Sequence, residues 1–362
     1  MRDTFISISA VGFVLVVMVG LIFTGLMTGA PAKTSQASAP GIVGADAEVR
    51  HPGSVVQLIE KANAGSVVKL PQGQHGSLKL NGLHFDEPVI VDGSSGSVFS
   101  RIILRDVRNL HFRNVTIEAG TTTDHIGDFA VTMMRSHGVR VESSHVSWSD
   151  DRNWANDGSG MTARLSSDVL IADTVFHNNF TGLVIRDADN ITIQGNIFRD
   201  LRRDGINVSG TVNIVIDQNM CTDFHPVRPQ DHPDCIQFWN DTAVRSNENI
   251  RITGNRILRG EGGVSQGIFL AGQKPGLPHR NILIENNHIH QAMGQGIFIR
   301  KADNAIIRGN IVRAAPPVEH TPVITVRSPV SDILIEGNRA ARIDVASDVL
   351  EGAVTLRDNA HP

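Results

Sequence analysis

The sequence predicts an all-β solenoid on two observations: a pair of short apolar-alternating strands that recurs along the chain, and an asparagine that recurs after the second strand of each pair. The unit is clearest between Asn190 and Asn240. There Asn190-Ile191-Thr192-Ile193-Gln194-Gly195-Asn196 leads to Asp204-Gly205-Ile206-Asn207-Val208, and the cycle restarts with Asn213-Ile214-Val215-Ile216-Asp217-Gln218-Asn219 and Asp234-Cys235-Ile236-Gln237-Phe238-Trp239. Each run alternates apolar and polar residues, the period of a strand buried on one face. No such strand covers its own apolar face, so the units stack along an axis and bury one continuous core.

The repeat extends well beyond these two cycles. The strand typified by Ile206 recurs at Val131, Met161, Leu183, Ile236, Ile268, Ile297 and Ile324, with intervals from 22 residues (Met161 to Leu183) to 32 (Ile236 to Ile268). Its companion recurs at Val115, Val139, Val169, Ile191, Ile214, Ile250, Ile282, Ala305 and Ile333. Asn196, Asn219, Asn255, Asn287, Asn310 and Asn338 follow the companion where the chain must turn. A side-chain amide there satisfies backbone groups, so these residues read as a stacked structural ladder rather than as sugar or metal ligands. Pairs such as Gly254-Asn255 and Gly309-Asn310 are turn chemistry, since no helix follows them as in a phosphate loop.

An axial repeat lifts the usual size limit of a core, so the 362 residues are expected to form one repeat domain, residues 46–362, behind two N-terminal segments. Phe5 to Met27 is an uncharged apolar run long enough to span a bilayer, and Ala30-Pro31-Ala32 could be read by a signal peptidase. Residues 1–32 therefore read as a signal peptide or a transmembrane anchor, and residues 33–45, rich in Ala, Ser, Pro and Gly, as a flexible linker. Either reading exports the domain, to the periplasm or to the outer face of the inner membrane, with the membrane touched only through this segment.

Net charge is −4 with a pI near 6.4, and no basic run tracks phosphates, which argues against nucleic acid as a partner. No tyrosine is present, so mechanisms using a phenol as acid or base are excluded. Of the two cysteines, Cys235 replaces the glycine that precedes the repeating strand, and a buried free thiol is expected in preference to a Cys221–Cys235 bridge.

Ser54 reads as the N-cap of a short amphipathic helix with Val55, Leu58, Ile59 and Ala62 on its apolar face and Gly65 as its stop. Such a helix would cover the open end of the first coil. The stretch that follows, Ala64-Gly65-Ser66-Val67-Val68-Lys69-Leu70-Pro71-Gln72-Gly73, resembles the N-terminal start of right-handed parallel β-helix proteins that act on polysaccharides. That resemblance implies a single-stranded right-handed parallel β-helix with an N-terminal capping helix, and an acidic polysaccharide as partner.

In such a fold, equivalent residues on successive coils lie about 4.8 Å apart, so sequence register becomes columns on the surface. With Ile206, Ile236, Ile268 and Ile297 pointing inward, Asn207, Gln237, Phe269 and Phe298 form one outward column. A second holds Arg164, Arg186, Ser209, Trp239, Ala271 and Arg300, and a third holds Asp204, Asp234, Gln266 and Gln295. Arg164, Arg186, Asn207, Gln237, Trp239, Arg300 and Lys301 are the expected substrate-binding residues, Trp239 as a surface on which sugars stack.

The densest chemistry is His225-Pro226-Val227-Arg228-Pro229-Gln230-Asp231-His232-Pro233-Asp234, where prolines hold the histidines in extended backbone. Asp204 and Asp234, equivalent on adjacent coils, should lie roughly 5 Å apart. Such a pair shares a proton, binds a cation or works as acid and base. Removing the C5 proton of an acidic sugar needs a base and a neutralised carboxylate. His232 as base, Arg203 with Arg186 on the carboxylate, and Asp204, Asp231 or Asp234 orienting the imidazole or holding Ca²⁺ meet that need.

Asp231-His232-Pro233-Asp234 is similar in content, though not in order, to the Asp-Pro-His-Asp motif of β-helix alginate C5-epimerases, which implies a lyase or epimerase. Paired aspartates also permit glycoside hydrolysis, and a non-catalytic glycan-binding or envelope scaffold is the alternative of a different class. Asp150-Asp151-Arg152-Asn153-Trp154 with Asp157 reads as a wall of the same groove, and His125, His137 and His145 as surface or turn histidines.

Overall fold

A computed structural model describes residues 52–361 apart from positions 125, 229, 242, 273, 292 and 317–319. The apolar run and the linker lie outside the described residues. The rest is a parallel β-helix with three strands per coil. One coil comprises Ile206–Ser209, Val212–Asp217 and Met220–Thr222. First and second strands join in a 21-stranded sheet, and third strands in one of 11. The third strand is an addition to the two-strand unit expected from the sequence.

The pairing register is the one the periodicity predicts. Leu183, Ile206, Ile236, Ile268, Ile297 and Ile324 pair in succession, and so do Val169, Ile191, Ile214, Ile250, Ile282, Ala305 and Ile333. All of them are buried. A slip of one residue would turn every one of these side chains to solvent, so burial on one face holds the register. Val115 departs from its expected series. Arg140 pairs with His111, which puts Leu110 in the companion column and Val115 in the turn column, one coil before Ser144.

That turn column is a ladder. The backbone N–H of Asn219 donates to Asn255 Oδ1 (2.9 Å), that of Asn255 to Asn287 Oδ1 (3.0 Å), and so on through Asn310 and Asn338 to Asn359. Before Asn196 the same place is held by Thr174 and Ser144, whose hydroxyls accept the corresponding N–H. The residue preceding each ladder asparagine has φ near +60°, which explains Gly195, Gly254, Gly309 and Gly337.

Asn255→Ala is expected to cost about 1–3 kcal/mol for each buried group it orphans, beginning with the Asn219 N–H and the Ile216 carbonyl. Asn213, in an exposed ladder with Asn190 and Asn249, should change stability by no more than about 0.5 kcal/mol on the same substitution. Denaturant midpoints of the two variants test this contrast.

The helix spans Pro52–Glu60, beginning two residues before the expected cap Ser54. Proline suits a first helical position because its missing N–H has no intrahelical acceptor there. Val55 and Ile59 are buried one turn apart and pack on the core, whereas Leu58 is exposed, not core-facing as its spacing suggested.

Cys221 and Cys235 form a disulfide, correcting the expectation of a free thiol. Cys221 stands where Phe198 stands one coil earlier. A Cβ on Gly182 would strike Phe198, so glycine is required in that coil. Cys221 faces Gly205 as Phe198 faces Gly182, and Cys235 holds the same column one coil further on, its sulfur bonded back to Cys221.

Candidate active site

Asp204 lies just before the first strand of one coil and Asp234 opens that of the next, in the same column, and both are buried, at 2% and 1% exposure. The Asp234 N–H donates to Asp204 Oδ1 (3.2 Å). Asn207 Nδ2 donates to Asp204 Oδ2 (2.8 Å) and to Gln237 Oε1 (2.5 Å), and Gln237 Nε2 donates to Asp234 Oδ2 (2.5 Å). Two carboxyl groups and two amides thus form one network, which leaves Asp234 Oδ1 without a partner. Asn207 and Gln237 take the expected column, but their amides hold the carboxyl groups together.

Burial, and after it the neighbouring charge of Asp204, pushes the Asp234 carboxyl well above the usual carboxylate range. The Gln237 hydrogen bond and the Arg203 charge oppose this without cancelling it. Asp234 therefore takes up a proton more readily than an ordinary carboxyl. Arg203 lies over the Phe180 ring at 5.6 Å, and its buried Nε has no partner.

Arg164 and Arg186 pair in register two coils and one coil before Asp204, and among the described residues neither is hydrogen-bonded to a carboxylate. Burial and the Arg164 charge lower the Arg186 pKa, opposed by Asp204 and Asp187. Arg186 Nη1 is buried without a partner, as are Asn207 Oδ1, Ser209 Oγ and Gln266 Oε1 of the same face. Buried polar atoms are ordinarily satisfied. Their concentration around one carboxyl pair marks a place prepared for a polar ligand.

The remaining expected residues divide. Trp239 is half-buried with its ring 6.4 Å from Phe269, which stacks on Phe298 at 4.5 Å. Arg300 is exposed, and Lys301 Nζ donates to the Lys274 carbonyl (3.1 Å). His232 is exposed and makes no hydrogen bond among the described residues, so nothing there orients its imidazole. Asp231 does not orient it either. Its carboxylate accepts from Arg202 Nε (2.8 Å) and from the N–H groups of Val227 and Arg228. Asp231 therefore locks the loop to the buried Arg202 and does not join Asp204 and Asp234. Among the described residues no group of three acidic, histidine or cysteine side chains could hold a metal ion, so the Ca²⁺ set of Asp204, Asp231 and Asp234 does not assemble.

A second cluster has no counterpart in the sequence reading. Asp200 accepts from His225 Nε2 (3.1 Å) and lies 3.4 Å from His177 Nε2 and 2.7 Å from Arg199 Nη1. These partners hold its carboxyl far below the usual range. Trp154 stacks on His225 at 3.9 Å, so the Asp150–Asp157 loop walls a different cavity, about 760 Å³, lined by His177, Asp200, Asp223 and His225. The signal available in the sequence was Asp200 and Asp223, each following a third strand by one residue. His137 pairs with Asp168 at the surface, His145 faces His177 at 6.0 Å, and His125 lies outside the described residues.

The fold is similar to that of the A-module of mannuronan C-5 epimerase AlgE6 from Azotobacter vinelandii, with a TM-score of 0.51 and 14% identity over 85% of this chain and 94% of that one. A mannuronic acid specific polysaccharide family 6 lyase from human gut microbiota gives a TM-score of 0.49 at 12% identity, covering 84% of this chain and 82% of that one. A family 28 exopolygalacturonase of Yersinia enterocolitica gives 0.44 at 10%, covering 85% and 74%. No curated protein sequence matches the chain. Residues 89–220 and 166–340 match the family described as "Right handed beta helix region", and the chain, with more than half its length inside those matches, belongs to that family of right-handed parallel β-helices.

Proposed function

We propose that this chain modifies an acidic polysaccharide by proton transfer at the Asp204–Asp234 pair, through abstraction of the C5 proton of a uronate. The observation that carries the reading is a pair of arginines without carboxylate partners, Arg186 one coil and Arg164 two coils before Asp204, beside two carboxyl groups of which Asp234 has its pKa raised. A sugar carboxylate on Arg186, with Arg203 beside it, has its growing charge neutralised, typically the largest contribution to such a step. The C5–H bond breaks, the proton passes to Asp204, and the electron pair delocalises into the sugar carboxylate. Asp234 then donates its proton, either to C5 from the other side, giving epimerisation, or to the glycosidic oxygen as the C4–O4 bond breaks, giving elimination.

Glycoside hydrolysis is the second reading, favoured by the raised pKa of Asp234. A protonated carboxyl beside a second carboxylate is the equipment of glycosidic cleavage. Incubating residues 46–362 with polymers containing uronic acid separates the readings. New absorbance of an unsaturated uronate indicates elimination, deuterium uptake at C5 without absorbance indicates epimerisation, and new reducing ends alone indicate hydrolysis. Silence in all three across a broad panel would leave a glycan-binding or scaffold protein. His232→Ala should leave the rate within about threefold of the native value, well short of the 10²- to 10⁴-fold worth of a positioned base; a loss of that larger size would return the base to His232.

The same reading makes the domain an exported one, behind a leader or anchor in residues 1–32 and a tether in 33–45. The Cys221–Cys235 bridge supports this, since disulfides persist in oxidising compartments. No helix among the described residues is long and apolar enough to cross a membrane. The Pro52–Glu60 helix, with Val55 and Ile59 in the core, serves in this account as the lid of the first coil.

A further inference from the structure

We infer that the polysaccharide carries its carboxylates sparsely, with a run of neutral sugars between them, rather than on every unit. The inference rests on the proposed reading of the Asp204–Asp234 site and adds the charge pattern of its substrate. The outward column beside that site is polar in a patterned way. It runs from the cationic Arg164 and Arg186, through the uncharged Ser209, Trp239 and Ala271, to the cationic Arg300 and Arg327. The two intervening steps follow from the flanking pairs Val208–Phe238 and Leu270–Ile299.

Four coil steps separate Arg186 from Arg300, about 19 Å at the strand spacing. One pyranose in an extended chain advances by about one such step, so a chain along the column places about three sugars over the uncharged stretch. Among the described residues none of the four arginines is hydrogen-bonded to a carboxylate; Arg164 and Arg300 are exposed, and Arg186 and Arg327 are half-buried. A further cation reinforces the second pole: Lys301 adjoins Arg300, where burial and then the like charge of Arg300 lower the Lys301 pKa, while Arg203, over Phe180, stands beside the Asp204–Asp234 pair and acts on Asp234.

The centre disfavours a carboxylate. Its side chains are the buried hydroxyl of Ser209, the half-buried indole of Trp239 and the buried methyl group of Ala271, and beyond the Asn207–Gln237 column stands the Asp204–Asp234 pair, whose remaining negative charge would repel another anion. Trp239, with its aromatic neighbour Phe269, suits the apolar face of a neutral sugar instead. A polymer with a uronate at every unit would place uncompensated anions over these coils. One with a uronate at about every fourth unit would meet both arginine pairs.

Calorimetric titration at fixed ionic strength tests this with two pentasaccharides, one of glucuronate throughout and one with glucuronate at its two ends and glucose between. The second is expected to bind up to about fivefold more tightly. In an Arg300→Gln, Arg327→Gln double variant, whose melting temperature should match the native protein's, both ligands should bind more weakly by a similar factor, because each places a carboxylate at that pole, and the advantage set by the centre should remain. Equal or tighter binding of the all-glucuronate ligand, or a double substitution that leaves the affinity for both ligands unchanged, overturns the inference. If that overturning result comes with C5 exchange or new chain ends on a homouronan, the proposed reading stands without the charge pattern. If neither ligand binds and no acidic polymer is turned over, both fail together.

Discussion

Asp234→Asn is expected to lower turnover of the polymer by about 10²- to 10⁴-fold, the usual worth of a positioned acid or base. The asparagine keeps the size of the side chain and can still accept from Gln237, so the network survives while the transferable proton is lost. The same substitution should stabilise the fold at neutral and alkaline pH. In the native protein the folded-state pKa of Asp234 lies above its unfolded value of about 3.9. Below that value both states are protonated and the group contributes its full stability. As pH rises, the unfolded state releases the proton first, and stability falls until the folded carboxyl also ionises. The amide that replaces the carboxyl does not titrate. The difference in melting temperature between variant and native protein should therefore grow as pH rises from about 4 towards neutral. A difference that stays flat over that range would show that the carboxyl is not held protonated.

Arg186→Gln is expected to cost about 10²- to 10³-fold in kcat/KM, the range seen when one donor to a developing negative charge is removed. The loss should be specific to charged substrate. On a polymer whose carboxyl groups have been reduced to alcohols, native and variant proteins should give the same low rate, because the guanidinium then has no anion to neutralise. Arg164→Gln should have a smaller effect, since Arg164 is exposed and its charge is screened. Equal losses on charged and reduced polymer would instead make Arg186 a structural residue. Stability should change little, because neither arginine is tied to a carboxylate partner that its removal would leave unpaired.

What could be read from the sequence was whatever repeats. The columns through Ile206 and Ile214 and the pairing of Asp204 with Asp234 follow from period-two alternation, because a buried face tolerates no slip. Val115 was placed a turn too early for a local reason. Ser144 and Thr174 do the work of asparagine in the first coils, so the ladder gives no sequence signal there. The disulfide was missed because it depends on Cys221 occupying the place of Phe198, a packing fact that spacing does not carry.

Side-chain partners across loops were the least legible. Asp231 stands beside His232 in sequence, yet its carboxylate is taken by Arg202, 29 residues away. The joining of Asp200, His177 and His225 needs the curvature of the third strands and the fold of the 225–233 loop, neither of which is periodic. Asn207 and Gln237 were placed in the right column, but their links to Asp204 and Asp234 were not foreseen. The outward direction of a strand residue follows from alternation, but not whether a carboxyl group in the neighbouring column will capture its amide.

The central claim is that the sugar carboxylate sits on Arg186 with its C5 facing the Asp204–Asp234 pair. The most direct measurement is a crystal structure of the Asp234→Asn variant with a bound uronate oligosaccharide. The account predicts a sugar carboxylate within hydrogen-bond distance of the Arg186 guanidinium, with the C5 of that sugar directed at the Asp204 carboxylate. An oligosaccharide seated instead against Trp154 and His225 in the cavity beside Asp200, with Arg186 untouched, would contradict it and move the chemistry to the other face of the coils.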